Sequence, residues 1–126
     1  MATTRLKRLA DSIIRIGLKY PGAYEDSPWD HRAVKVRKKL FVIMSSEVDR
    51  KTGFTFTVKL PHCGKSVLSF PFAEPCGYGM GKHGWVTIRV SPGEEMPTDL
   101  IQEWVDESYR AVAPKKLVAQ LDERMV

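Results

Sequence analysis

"GMGKHGWVTIRV", residues 79–90, is the stretch on which the fold turns. It opens G-x-G-x-x-G, a spacing shared by the dinucleotide turn of a Rossmann unit and the glycine-rich flap of a protein kinase. A Rossmann turn must lead into a helix whose N-terminus receives the pyrophosphate. Here Val86, Ile88 and Val90 alternate with Trp85, Thr87 and Arg89, which is the period of a strand. A phosphate-binding P-loop fails too, because Cys76 stands for its first glycine and His83 for its Ser/Thr. A kinase flap does lie between strands. However, "DHRA" at 30–33 is no H-R-D, no D-F-G occurs, and 126 residues cannot hold that fold. Gly77, Gly79, Gly81 and Gly84 therefore read as turn residues, with Lys82 and His83 at the tip of a β-ribbon beside Trp85.

Working outward, the same period recurs in "GFTFTVKL", residues 53–60. Phe54, Phe56, Val58 and Leu60 face one way, and Thr55, Thr57 and Lys59 face the other. In "AVKVR", Val34 and Val36 oppose Lys35 and Arg37, while "LFVIMS" is apolar enough for a strand near the sheet's centre. "SPWDH" and "DRKTG" are turns. Residues 4–20 form a helix, with Leu6, Leu9, Ala10, Ile13, Ile16, Gly17 and Tyr20 on one side; Thr3 or Thr4 caps it and "YPG" stops it. A short helix is expected near 64–69. A longer one runs over 98–112, with Leu100, Ile101, Trp104, Val105, Ser108 and Val112 turned inward, and a last one over 114–121. The order predicts one α+β domain over 1–126: an antiparallel sheet covered on one face by N- and C-terminal helices.

Composition narrows the function. The chain has no uncharged apolar run long enough for a membrane span, and Arg15 interrupts any signal-peptide core. Two cysteines without an export signal point to a reduced, cytoplasmic setting. His62, Cys63, Cys76 and His83 lack the spacing of a zinc site, so no metal and no cofactor is expected. Glu25, Asp26, Asp30 and His31 could move protons, but no nucleophile and orienting group accompany them, so the chain reads as non-enzymatic.

Charge is uneven within a net +5. Residues 1–90 hold 16 Lys/Arg against 7 Asp/Glu, and residues 91–126 hold 4 against 8. The outward sheet face presents Lys35, Arg37, Thr55, Thr57, Lys59, Trp85, Thr87 and Arg89. With Lys39, Lys82 and His83, its cations form a candidate nucleic-acid surface, on which Trp85 could stack an unpaired base. With no base-reading helix, binding would be mostly sequence-independent. The alternative is a protein-interaction module using the acidic stripe of Glu95, Asp99, Glu103 and Asp106/Glu107 or the open sheet face.

Four ordered segments, "YPGAYEDSPWDHRAVKVRKKLFVIM", "GFTFTVKLP", "PFAEPCGYGMGKHGWVTIRV" and "LIQEWVDESYRAVAPKKL", resemble the MmcQ/YjbR family across nearly the whole chain. The resemblance implies a CyaY-like (frataxin-like) α/β sandwich and DNA binding by a double wing of β-ribbons. The candidate wings are the turns near 28–32 or 46–53 and the ribbon tip at 77–84. It transfers no catalytic motif. Frataxins hold iron with acidic residues on their first helix. Here that helix carries Arg5, Lys7, Arg8, Arg15 and Lys19 against Asp11 alone, which speaks against iron.

Overall fold

Residues that alternate in the sequence meet across a six-stranded antiparallel sheet. A computed structural model describes residues 2–26, 31–45, 48, 51–77, 83–92 and 96–124, with side chains from residue 5 on. The strands are β1 (Tyr24–Asp26), β2 (Arg32–Val36), β3 (Lys39–Met44), β4 (Phe54–Lys59), β5 (Ala73–Pro75) and β6 (Trp85–Val90), in spatial order β1-β2-β3-β4-β6-β5. The apolar run expected at the centre is β3, flanked by β2 and β4.

One face of this sheet is the core wall. Val34, Val42, Val58 and Val86 pair in a row across four strands, and Met44, Phe56 and Ile88 form the next inward row. All seven are at most 2% exposed. Each buried side chain of this size is worth about 1.5–3 kcal/mol relative to exposure. Two helices cover the wall: α1 (Ala2–Leu18) and α3 (Thr98–Val112). Leu6, Ala10, Ile13 and Ile14 come from the first; Ile101, Trp104, Val105 and Tyr109 from the second. α2 (Gly64–Val67) contributes Val67, and α4 (Lys115–Arg124) contributes Leu117 and Leu121. The expected α+β layer and its core are thus present.

Boundaries differ in instructive ways. α1 starts at Ala2, so Thr3 and Thr4 lie inside the helix rather than capping it. α4 runs to Arg124, beyond the expected 121. "AEP" forms the edge strand β5, paired with β6, where no strand was expected.

The largest correction is at β2. Arg37 does not continue the strand. Val36 pairs with Lys39, so Arg37 and Lys38 form a two-residue hairpin turn, with φ of 50° and 68°. Positive φ at both positions is what a type I′ turn requires. Beyond the turn the register shifts: Val34 faces Val42 but Lys35 faces Leu40. Phe41 is the extra residue of a β-bulge, which lets Phe41 and Val42 both be fully buried. Phe41 then packs edge-on against Tyr109, ring centroids 5.2 Å apart.

The bulge leaves a gap in the ladder between β3 and β4. The register pairing Val42 with Val58 would bring the Lys59 N–H to the Phe41 carbonyl. Instead the fully buried Ser108 hydroxyl of α3 stands between them. It accepts from Lys59 N–H at 2.8 Å and donates to the Phe41 oxygen at 2.5 Å. A helix side chain thus completes a strand pairing.

Candidate nucleic-acid interface

The centre of the outward face is not an open cationic plane. Lys35 is ion-paired to Asp26 at 2.8 Å, and that hydrogen bond raises its pKa. Arg89 lies 3.4 Å from Glu74. Thr57 is buried, and its hydroxyl is 2.9 Å from that of Thr87, so the two satisfy each other. The acid/base candidates are similarly occupied. Arg32 binds Glu25 at 3.0 Å and Asp11 at 2.6 Å, tying β2 to α1. Asp30 lies outside the described residues, and His31 is exposed. Among the described residues no three His, Cys, Asp or Glu side chains group as a metal site.

Within the sheet, cations without an ion-pair partner among the described residues gather instead at one end. The antiparallel order brings the end of β2, the start of β3, the end of β4, the end of β5 and the start of β6 to the same edge. Arg37 and Lys38 form the tip there, Lys39 begins β3, and Lys59 ends β4 directly opposite Trp85. None of these four cations has an ion-pair partner among the described residues. A cavity of about 320 Å³ opens between them, lined by Lys39, Leu40, Lys59, Trp85 and, from the last turn of α3, Ala111 and Val112. Trp85 is half-buried, with its backbone carbonyl accepting from Cys76 N–H at 3.0 Å.

The glycine-rich connection ends at this edge too. Pro75 pairs with Val86, so β5 and β6 form an antiparallel ribbon, and residues 78–82 of its connection lie outside the described residues. Gly84 has a φ of 90°, and its carbonyl accepts from Leu60 N–H at 2.7 Å, pinning the ribbon to the end of β4. His83 is exposed beside it. Lys82, Gly79 and Gly81 lie outside the described residues, as do residues 28–30 and 46–47 and 49–50 of the other two expected wings.

Of the predicted site, Lys39, Lys59, Trp85 and His83 come to this edge, and Arg37 joins them from the turn. Lys35 and Arg89 stand on the outward face with acidic partners. Sequence reasoning missed Lys38. Its signal was the triplet Arg37-Lys38-Lys39, where three cations in succession break the strand alternation.

The acidic stripe divides. Glu107 accepts from His62 N–H at 2.9 Å and Cys63 N–H at 3.1 Å. Burial alone would raise its pKa, but hydrogen bonds from the Cys63 thiol and these two amides hold it below the usual carboxylate value. Asp106 takes Arg110 at 2.7 Å and the Tyr20 hydroxyl at 3.0 Å. Burial, the Asp106 charge and that hydrogen bond push the Tyr20 phenol well above its ordinary range. Asp99 and Glu103 have no such partner among the described residues, and Glu95 lies outside them.

Fold and edge define a class: a one-layer antiparallel sheet backed by helices, with four cations that lack an ion-pair partner among the described residues at one end of the sheet. The family model named YjbR matches residues 18–111. The chain belongs to the YjbR family. Two solved structures share the fold. A Deinococcus radiodurans protein, DR2400, with a DUF419 domain, is 19% identical at a TM-score of 0.70, covering 90% of this chain and 87% of that one. A Pseudomonas syringae protein is 18% identical at a TM-score of 0.61, covering 81% and 97%. Among curated proteins nothing matches this chain.

Proposed function

We propose that this chain is a non-enzymatic DNA-binding protein that grips the phosphate backbone with the cationic edge rather than with the sheet face. The observation that carries this is the gathering of Arg37, Lys38, Lys39 and Lys59, all without acidic partners among the described residues, at the end of the sheet where the β2–β3 turn, the end of β4 and the start of β6 come together. Charges already neutralised by a neighbour release few counterions on binding, whereas free ones release most. The β2–β3 turn and the β5–β6 connection are three strand spacings apart, about 14 Å. That is comparable with the ~12 Å major groove. Two strand pairs so spaced, with Lys59 at the end of β4 between them, suit the double-wing arrangement that the family resemblance implies. Lysine and arginine would meet phosphate oxygens and position the protein. Among the described residues, the helix side chains lining the cavity at this edge are Ala111 and Val112, neither of which reads bases, so affinity would depend little on sequence.

The test is an anisotropy titration with duplex DNA of about 20 base pairs, single-stranded DNA and RNA, at several salt concentrations. With four phosphates neutralised, log K for the duplex should fall with log salt at a slope of roughly −3.6. Arg37→Glu/Lys39→Glu/Lys59→Glu should abolish binding, while Arg89→Ala should change it little. Trp85→Ala should weaken single-strand binding more than duplex binding, since stacking on an unpaired base is worth about 1–3 kcal/mol. Absence of binding to all three at low salt would sink the proposal. So would binding that ignores both salt and the triple substitution.

A further inference from the structure

A second surface meets the cationic edge at Ala111 alone among the lining residues. Between α3 and the segment holding α2 runs a groove of about 950 Å³. Its apolar lining includes Val67, Phe70, Leu100 and Trp104, and one wall carries Asp99 and Glu103. Phe70 is 38% exposed, although its ring stacks on Phe72 with centroids 4.9 Å apart and planes 10° from parallel. An exposed aromatic backed by another aromatic is a rigid platform. Its face attracts a cation, arginine above all.

The acids of the groove fall into two sets. Glu107 and Asp106 are consumed internally, the first by the amides of His62 and Cys63, the second by Arg110 and Tyr20. Asp99 and Glu103 are left over among the described residues, facing an apolar floor on a chain whose net charge is +5. Carboxylates held without partners beside a free aromatic face are complementary to one chemistry: cationic side chains interleaved with apolar ones. Their spacing refines this. Asp99 and Glu103 are four residues apart on one helix, a rise of about 6 Å. Alternate side chains of an extended strand repeat at about 6.6–6.8 Å. An extended segment can therefore turn every second residue toward the carboxylates and the intervening ones toward the apolar lining.

We infer that this groove docks an extended, arginine-bearing apolar segment of a partner protein. Ala111 borders both the groove and the cationic cavity, but Glu103 is eight residues before it, so about 12 Å of helix separates the carboxylates from that cavity. That exceeds the ~8 Å screening length at physiological salt, so the carboxylates and the cationic edge act as separate charges.

The probe is a labelled eight-residue peptide alternating arginine and leucine, measured by anisotropy against the whole chain. Two controls replace every arginine by glutamate or every leucine by alanine. Saturable binding of the first peptide is expected, at least tenfold weaker for both controls. Asp99→Lys/Glu103→Lys should weaken it at least tenfold and Phe70→Ala at least threefold. All three positions have exposed or half-exposed side chains, so circular dichroism should be unchanged. DNA binding of these variants should equal wild type, which separates failure here from failure of the nucleic-acid reading. No saturable binding at low salt, or binding that survives both substitutions, would overturn the inference. Concentration-dependent self-association that the charge reversal abolishes would overturn it as well, by making a second copy the occupant.

Discussion

Replacing Arg37 and Lys38 by Asn and Gly should make the protein more stable and less able to hold DNA. Both residues sit at positive φ, 50° and 68°, in a two-residue turn. A side-chain-bearing L-residue in the left-handed region costs about 1–2 kcal/mol. Asn tolerates that region and Gly adopts it freely, but Gly gives back about 0.5–1 kcal/mol through the flexibility of the unfolded chain. The balance is a gain of roughly 1–2 kcal/mol. For a domain of this length that is a rise in Tm of about 3–10 °C by thermal circular dichroism. Two of four proposed phosphate contacts vanish, so the salt slope should shrink from roughly −3.6 to roughly −1.8. Between about 50 and about 200 mM salt, wild type would lose on the order of 150-fold in affinity and the variant on the order of 12-fold. The two readouts fail separately. A lower Tm would show that the turn is not strained. An unchanged slope would show that the tip does not touch phosphate, whatever its strain.

Other expectations follow from the core. Ser108→Ala leaves the Lys59 amide and the Phe41 carbonyl buried without a partner, and should cost roughly 2–4 kcal/mol in urea unfolding; a loss under about 0.5 kcal/mol would show that the strands re-pair without it. Gly53→Ala places a Cβ 1.7 Å from the Val90 oxygen at a φ of 83°, and should destabilise by at least about 3 kcal/mol, checked by the same assay. Glu107 has a folded-state pKa below its ordinary value, so its contribution is present above the unfolded value of about 4.3 and is lost as pH falls through the folded one. Glu107→Gln should therefore lose less stability than wild type between pH 7 and pH 3, and equal losses would remove Glu107 from acid unfolding.

Much of the sheet was legible because β4 and β6 alternate without interruption. Every inward residue read from them, Phe54 to Leu60 and Val86 to Val90, is buried. α3 was legible to the residue, since its start after Pro97 and its end before Pro114 are both marked by proline. The β2–β3 turn was not, because a type I′ turn is usually announced by Asn-Gly and here it is built from Arg and Lys. That substitution made Arg37 look like a strand residue. Phe41 and Ser108 were illegible for a related reason. A bulge adds one residue without changing composition, and a serine inside an apolar helix face shows no sign of the strand gap it will fill. The site shifted accordingly. Cations that looked equivalent in the sequence are sorted by acids brought from elsewhere: Asp26 from β1 and Glu74 from β5.

The serine that completes the β3–β4 ladder also sets a timetable. Its two partners precede it by 49 and 67 residues. During synthesis the paired strands therefore wait, with an amide and a carbonyl open to water, until the third helix leaves the ribosome. At about 5–20 residues per second, the 49 residues after Lys59 take roughly 2.5–10 s to make. Over that interval the nascent sheet has a hydrated notch between the start of β3 and the end of β4. Its final closure, which makes helix and sheet one cooperative unit, is reserved for the docking of a segment made late.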